Sequence, residues 1–236
     1  MTSLDSSQDT SLYIQRAYNI RNKLPVYGEV LVRKYNNIDG AGNIIDYVKA
    51  NKIEHKFDLD ILRCAAELKS KNHIKIPISV NLMPQSIKIV GISEDINRII
   101  IGYGISKSEI IIEITEKTDF CDEIVIENIN KLRNYGFKIA LDDFGVEKSN
   151  MISLLTNKFD SLKIDRSFVE FITHKKDEAI LILKHIKSLC DAFNMSCCVE
   201  GVETEEQLEL LNKINCDIIQ GYIFEKPFPM DKLIGE

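Results

Sequence analysis

Residues 110–145 read IIIEITEKTDFCDEIVIENINKLRNYGFKIALDDFG, and this stretch decides the fold class. Two short runs of β-forming residues, 110–114 and 138–141, flank a segment in which Ile124, Ile129 and Leu132 follow a helical period. A strand, a helix and a second strand in this order form a βαβ unit, whose two strands lie parallel and buried. Acidic residues stand at the end of both strands.

The same alternation recurs along the chain. Further apolar runs lie at residues 30–32, 76–80, 161–164, 195–199 and 217–219, with amphipathic, helix-like segments between them. Seven or eight such units in 236 residues predict an α/β fold of the (β/α)8 TIM-barrel type. We expect residues 1–10 to form a flexible leader and residues 11–236 to form a single domain.

The start of the predicted barrel departs from this pattern. Residues 12–17 and 26–32 have the composition of two strands, and a turn-like segment at residues 22–25 joins them. Too few residues separate the two strands for a crossover helix, so we expect them to pair antiparallel. The sequence therefore predicts a barrel with an antiparallel first strand.

Composition restricts the classes of partner. The chain carries 30 Lys and Arg against 36 Asp and Glu, and a net charge of −6 disfavours DNA or RNA held by electrostatics. No apolar run reaches the ~18 residues of a membrane span, and residues 1–10 lack the pattern of a signal peptide. With 44% hydrophobic residues the chain can bury a core, and we expect a cytoplasmic protein without a membrane partner.

Cysteine and histidine spacing limits the metal chemistry. The six cysteines form no C-x-x-C pair, and the four histidines show no zinc-binding spacing. We expect reduced thiols, and any bound metal must then be held by oxygen ligands.

Polar residues follow or end nearly every predicted strand. In a (β/α)8 barrel the catalytic residues lie at the carboxyl ends of the strands, where they converge on one mouth. A ring of acids repels itself unless cations compensate the charge, and carboxylate and amide oxygens suit Mg²⁺ or Mn²⁺. Adjacent acids can hold two ions about 3.5–4 Å apart, as in attack of water on a phosphodiester. The strand-end residues are Glu29, Asn81, Glu113, Glu116, Asp142, Asp143, Lys163, Asp165, Glu200, Glu203 and Gln220.

Helix capping is the alternative explanation for each acid taken singly. A lone carboxylate after a strand is more often the N-cap of the next helix, and Asp142 or Asp165 alone would be interpreted so. Capping does not explain acids and amides after so many strands of one barrel. The whole set therefore favours a metal-dependent site.

These strand-end residues and their neighbours resemble a known family, the EAL domain of bacterial cyclic di-GMP phosphodiesterases. The resemblance runs from about residue 13 to residue 233 and rests on seven motifs in order. The motifs are Glu29-Val30-Leu31-Val32-Arg33, Ser79-Val80-Asn81-Leu82, Glu113-Ile114-Thr115-Glu116, Asp142-Asp143-Phe144-Gly145, residues 162–169 (LKIDRSFV), residues 200–204 (EGVET) and residues 220–227 (QGYIFEKP).

The resemblance implies a role for each matching residue. It implies two ions of Mg²⁺ or Mn²⁺ per active site, with the first held by Glu29, Asn81, Glu113 and Asp142. The second ion would be held by Asp142 and Asp143, and Glu200 would reach it directly or through water. Lys163 and Glu200 match the residues that position and activate the attacking water, and Gln220 matches one that steadies the water network. Leu31 and Arg33 match substrate-contacting positions, and Glu116 matches the anchor of the loop after Asp142-Asp143.

The activity implied is hydrolysis of cyclic di-GMP to linear pGpG, which lowers the level of a bacterial second messenger. The implied fold is a (β/α)8 barrel with one antiparallel strand, commonly dimeric. No other module is expected beside the barrel in this sequence. Regulation would then come from expression level, from oligomerisation or from a protein partner.

Two segments differ from the family pattern. The loop that normally reads Thr-Gly-Tyr-Ser-Ser is here Val-Glu-Lys-Ser-Asn, at residues 146–150, and the frequent Gln-Pro is here Gln15-Arg16. Replacement of glycine by Glu147 removes easy access to positive φ. These changes motivate an alternative: a catalytically weak or inactive EAL protein that binds cyclic di-GMP or another protein. A different phosphodiester substrate is a third hypothesis.

Overall fold

The computed structural model describes residues 10–146, 154–155, 158–174 and 176–235. Within these residues ten strands form one sheet, and eight of them close into a barrel in the order β1-β2-β4-β5-β6-β7-β8-β9. The strands are β1 (Ser11–Asn19), β2 (Pro25–Tyr35), β3 (Ile38–Asp39), β4 (Ile78–Leu82), β5 (Ile110–Thr115), β6 (Lys138–Phe144), β7 (Ser161–Ile164), β8 (Ser196–Val199), β9 (Ile218–Ile219) and β10 (Phe228–Pro229). The helices are α1 (Ala41–Asn51), α2 (Glu54–Lys71), α3 (Ile92–Gly102), α4 (Glu123–Tyr135), α5 (Arg166–His174), α6 (Lys176–Ala192) and α7 (Glu205–Lys213).

The predicted barrel and its antiparallel first strand are both confirmed. Strand β1 pairs antiparallel with β2, and Gln15 lies directly opposite Glu29. Around the barrel, every neighbouring pair from β2–β4 to β8–β9 is parallel. Of the predicted leader, residues 1–9 lie outside the described part of the chain. No helix of the described residues is long and apolar enough to cross a membrane.

The junctions between strands and helices follow from local side-chain chemistry. Asp122 begins α4 by accepting the backbone N–H groups of Ile124 and Val125, and Gly136 ends the helix in a left-handed conformation. Thr204 and Gln207 form a capping box at the start of α7. These caps fix where α4 and α7 begin, a few residues after the ends of β5 and β8.

The interior of the barrel is built in layers. The lower layer is apolar apart from the Tyr27 hydroxyl, which donates to Cys198 Sγ. Residues two positions further along these strands point to the same inner face, because side chains alternate in a strand. The second layer therefore contains the strand-end polar residues. The lower layer consists of Ala17, Tyr27, Ile111, Ala140, Cys198 and Ile218.

The seam beside β1 is the irregular part of the barrel. On the side away from β2, Tyr18 and Asn19 pair with β9, whereas Tyr13 and Ile14 pair with β10. Residues 15–17 lie between these two short pairings. The outer face of β1 is covered by the chain segment at 222–230 instead of a helix, and Tyr18 stacks on Phe224 with ring centroids 4.5 Å apart.

The turn after β9 requires glycine at position 221. A Cβ added to Gly221 would lie 2.0 Å from the carbonyl oxygen and 2.4 Å from the nitrogen of Val202. Both atoms belong to the backbone, so they cannot rotate away as a flexible side chain can. The close approach brings the residues on either side of Gly221 against the loop after β8.

We expect Gly221→Ala to lower the free energy of unfolding by about 1–3 kcal/mol, because the added methyl forces two backbone segments apart. Gly42→Ala is the matched control, since Gly42 lies in α1 with nothing within 4 Å of its added Cβ. That variant should be neutral or more stable by up to about 1 kcal/mol. Urea unfolding measures both variants, and equal stability of Gly221→Ala and wild type would contradict the close approach.

Asp58 on α2 holds the loop that follows β4. Its carboxylate accepts the N–H of Met83 at 2.8 Å and is buried. Burial raises the pKa of Asp58 to about 7, although its hydrogen bonds oppose this shift. Met83 lies two residues after Asn81, so this contact helps to fix one of the predicted site residues.

We expect Asp58 to make the protein less stable as pH rises from about 4 to about 7. In this range the folded state keeps a proton on Asp58 that the unfolded state has already released, so the favourable contribution is lost as pH rises through the folded-state pKa. In Asp58→Asn this loss disappears. The stability of the variant relative to wild type should rise by up to about 4 kcal/mol over the range, as measured by urea unfolding at several pH values. A difference that stays constant with pH would show that Asp58 titrates normally.

Candidate active site

The carboxyl ends of the parallel strands surround one buried ammonium group. Lys163 extends from β7, and its Nζ lies 2.7 Å from Glu200 Oε1 and 2.9 Å from Glu113 Oε2. The same nitrogen is 3.2 Å from Asp142 Oδ1 and 3.5 Å from Glu29 Oε2. We call Glu29, Glu113, Asp142 and Glu200 the carboxylate ring. Each member comes from a different strand or strand end and lies two positions after a residue of the lower layer.

Two predicted amide residues flank this ring. Gln220 follows β9 and is buried, and its Nε2 donates to Glu29 Oε2 at 2.8 Å. Asn81 lies on β4 in a more exposed position, and its Nδ2 is 3.4 Å from Glu29 Oε1. Glu29 is therefore contacted by an amide on each side and by Lys163. The structure brings the carboxylate ring, Lys163 and both amides into one connected group.

Burial and mutual repulsion shift the proton affinities of the ring. Burial raises the pKa of Glu113 well above its usual value, against the opposing charge of Lys163. Burial likewise raises the pKa of Glu200 to about 8, again opposed by Lys163. Burial alone would lower the pKa of Lys163, but the carboxylates, with Asp142 foremost, raise it well above its ordinary range. The lysine is therefore a fixed cation.

Asp143 lies beside the ring, on a strained piece of backbone. Its φ is +56°, a left-handed conformation that is uncommon for residues other than glycine. The register between β6 and β7 also shifts between Leu141 and Phe144. Burial raises the pKa of Asp143, and the charges of Asp142 and Asp165 add to this effect. The shift in the strand separates the two neighbouring aspartates, so that one joins the ring and the other lines the cavity beside it.

Glu116 contacts the loop after β6. Its Oε2 accepts the N–H of Gly145 at 3.0 Å. Gly145 has φ of +92°, and a Cβ there would lie 2.4 Å from the ring of Phe168. Val146 is exposed, whereas residues 147–150 of the altered loop lie outside the described residues. Glu116 thus contacts the backbone at the start of the loop that it is predicted to anchor.

A cavity of about 740 Å³ opens beside the ring. Two of the predicted metal-binding residues, Asn81 and Asp143, line the cavity. The predicted substrate-binding residues Leu31 and Arg33 both line it, and the Arg33 guanidinium also lies 5.6 Å from the centre of the Tyr13 ring. Its walls include further charged and aromatic side chains that the sequence analysis did not single out. These are Lys49, Glu54, Phe57, Asp58 and Lys117.

The carboxylate ring fits divalent cations by charge and by ligand chemistry. Four carboxylates surround one ammonium, and Glu113 Oε1 is buried without a hydrogen-bond partner among the described residues. An unpartnered carboxyl oxygen is a suitable ligand for a hard cation once the group has released its proton. In the described part of the chain no three His, Cys, Asp or Glu side chains are already spaced as a metal-ligand set. The Lys163 ammonium lies between the carboxylates and contacts one oxygen of each.

Gln15 is a site residue that the sequence analysis did not assign. It lies directly opposite Glu29 in the β1–β2 pair, two positions before Ala17 of the lower layer. Its side chain therefore belongs to the inner face of the barrel. Its Nε2 donates to the backbone oxygen of Glu225 at 3.2 Å. The alternation of β1 would have identified this position once the register with β2 was known.

Comparison with known proteins identifies the family of the chain. The family model of the EAL domain matches residues 2–227. The probable cyclic di-GMP phosphodiesterase PdeA of Escherichia coli K12 is 35% identical over 236 residues, a match that covers 97% of this chain and 32% of that protein. The chain spans between 19% and 40% of the length of the first curated relatives it matches.

Solved structures show the same fold. The PaMucR phosphodiesterase in its c-di-GMP complex superimposes with a TM-score of 0.87 at 25% identity, covering 95% of this chain and 99% of that one. Klebsiella pneumoniae BlrP1, in a calcium and cyclic di-GMP complex, has a TM-score of 0.85 at 22% identity, over 98% of this chain and 58% of that one. The family match across nearly the whole chain, together with these relatives, shows that the protein belongs to the EAL-domain family.

Proposed function

We propose that this protein hydrolyses one 3′–5′ phosphodiester bond of cyclic di-GMP and releases linear pGpG. The observation that carries the proposal is the carboxylate ring with Lys163 at its centre, opening onto a cavity of about 740 Å³. The family assignment and the relatives that are named cyclic di-GMP phosphodiesterases support the choice of substrate. In the reaction a water oxygen bonds to phosphorus, the bond from phosphorus to the 3′ oxygen breaks, and the leaving oxygen takes a proton.

The donor set supports two ions of Mg²⁺ or Mn²⁺ per site. Glu29, Asn81, Glu113 and Asp142 would hold the first ion. Asp142 and Asp143 would hold the second, which Glu200 would reach directly or through water. Such ions, when bound, neutralise phosphate charge, lower the pKa of water and stabilise the leaving oxygen. The calcium and cyclic di-GMP complex of BlrP1 is consistent with a divalent-cation site in a protein of this fold.

Lys163 and Glu200 are the residues that we assign to the attacking water. Their 2.7 Å contact places a buried ammonium beside a carboxylate. The Lys163 ammonium orients the water oxygen, and Glu200 takes its proton. Gln220 steadies neighbouring water molecules through its side-chain amide, which also holds Glu29.

The cavity supplies the charges that a dianionic dinucleotide requires. Arg33, Lys49 and Lys117 line it and can donate hydrogen bonds to phosphate oxygens or to a purine edge. Leu31 and Phe57 provide apolar surface for a base. A cyclic dinucleotide that enters here places a phosphate near Asn81 and Asp143, at the border of the carboxylate ring.

We also propose that the protein acts in the cytoplasm as a homodimer. Phe171 on α5 and Leu181 and Ile182 on α6 are large apolar side chains about half exposed to solvent. Exposed apolar side chains of neighbouring helices are typical of association surfaces. A second protein could use the same surface, so sedimentation of the purified protein alone distinguishes self-association from binding of a partner.

We expect Glu29→Gln to reduce turnover of cyclic di-GMP by at least about 100-fold, because a ligand charge and the hydrogen-bond acceptor of Gln220 are both altered. The measurement is chromatographic detection of pGpG in Mg²⁺ or Mn²⁺. Glu209→Gln on the exposed side of α7 is the control for loss of one negative charge and should retain full activity.

Undiminished activity of Glu29→Gln would refute the assigned site. If folded wild-type protein forms no pGpG with either metal, the phosphodiesterase proposal is wrong. In that case measurable binding of cyclic di-GMP without cleavage would point to the regulatory alternative.

We expect Lys163→Met to lower the free energy of unfolding by about 3–5 kcal/mol in EDTA, because the ring then loses its buried counter-charge. Added Mg²⁺ or Mn²⁺ should restore much of this loss, since binding to the folded state stabilises it. Urea unfolding with and without metal tests this, and Lys184→Met, an exposed lysine on α6, is the control. A variant as stable as wild type in EDTA would mean that the ring needs no counter-charge.

A further inference from the structure

Glu225 takes the place of a missing strand partner in the barrel seam. Residues 15–17 of β1 lie between the pairings with β9 and β10, and among the described residues no β-strand is hydrogen-bonded to them on that side. The backbone N–H of Arg16 instead donates to Glu225 Oε1 at 2.9 Å. Gln15 donates its side-chain amide to the backbone oxygen of the same residue. Glu225 thus accepts hydrogen bonds from both Gln15 and Arg16, in the gap between the pairings of β1 with β9 and with β10.

The Arg16 guanidinium reinforces this closure. Its Nε lies 2.9 Å from Oε1 of Glu225, and a terminal nitrogen lies 2.7 Å from Oε2. The two side chains are 22% and 15% exposed. The guanidinium also lies within 5.8 Å of the ring centres of Tyr18 and Phe228. A bidentate, mostly buried pair of this kind has a fixed geometry, unlike most ion pairs on a protein surface.

This contact is linked to Gln220 through a short turn. The N–H of Glu225 bonds to the carbonyl of Gly221, and the carbonyl of Gln220 accepts the N–H of Val202 at 3.1 Å. At the other end of the turn, the side chain of Gln220 donates to Glu29. The segment 220–225 is therefore fastened to β1 at one end and to the carboxylate ring at the other.

We propose that Arg16 and Glu225 are positioning residues that hold Gln220 against Glu29. The inference rests on the proposed function, in which Gln220 steadies water at the reacting phosphate. Neither residue lines the cavity, so loss of the pair lowers kcat and leaves substrate affinity unchanged.

The first test measures hydrogen exchange at backbone amides and does not depend on enzymatic activity. Arg16→Met removes the guanidinium contacts but keeps the backbone N–H of residue 16, and Glu225→Leu removes both kinds of contact. Glu225→Gln keeps the Oε1 that accepts both from the Arg16 N–H and from Nε. Hydrogen exchange is measured at the amides of Val202 and Ile223. The two removals should speed exchange about 10-fold, and Glu225→Gln should stay close to wild type. Unchanged exchange in both removals would overturn the proposal.

The second test separates positioning from general destabilisation. In Arg16→Met, kcat for cyclic di-GMP should fall about 10-fold while KM changes less than about twofold. In a Gln220→Ala background the same substitution should have almost no further effect on kcat, since both act through one side chain. Arg21→Met in the exposed turn after β1 is the control.

Two outcomes of this second test would overturn the inference. One is a rise in KM with kcat unchanged, and the other is a loss in kcat that simply multiplies with that of Gln220→Ala. If the wild type hydrolyses no cyclic di-GMP, the proposed function is wrong, and hydrogen exchange alone decides on the pair. If the wild type is active and Arg16→Met equals it, the positioning role is wrong while the function stands.

Discussion

The contact between one ammonium and four carboxylates governs the whole mouth of the barrel. Lys163 Nζ lies within 3.5 Å of an oxygen from each member of the carboxylate ring. Like charges at this density repel strongly in a buried place, so a nearby cation or a bound proton has to relieve the repulsion. The lysine is that cation in the protein itself. Strand register is consequently constrained by electrostatics as well as by packing, since a shift by one residue would turn an acid away from its counter-charge.

Packing and charge have separate places in this architecture. The six residues of the lower layer fill the barrel with mostly apolar atoms directly beneath the carboxylate ring. The low polarity of the lower layer strengthens the electrostatic interactions in the layer above it. This explains why burial leads the causes of the raised pKa values of Glu113 and Glu200. The barrel core thus tunes the site without contributing a reacting group.

Much of the fold and of the site could be predicted because they follow local patterns. The alternation of apolar runs and amphipathic segments predicts the barrel, and the short link between the first two strands predicts their antiparallel pairing. Strand-end acids such as Glu113 and Asp142 could be found from their positions alone. Contacts between distant segments were not predictable in this way. The approach of Glu225 to Arg16, 209 residues apart, and the placement of Lys163 at the centre of the ring depend on closure of the barrel.

The antiparallel first strand brings the two ends of the barrel chain together. Tyr13 pairs with Pro229 and Ile14 with Phe228, so the polypeptide enters and leaves the barrel side by side. A module joined to either end would be tethered at the same place, a few residues from Gln15 and Glu29. Tension or torsion on such a tether would act first on β1. The edge at which the chain enters and leaves the barrel is thus also the edge nearest to Gln15 and Glu29.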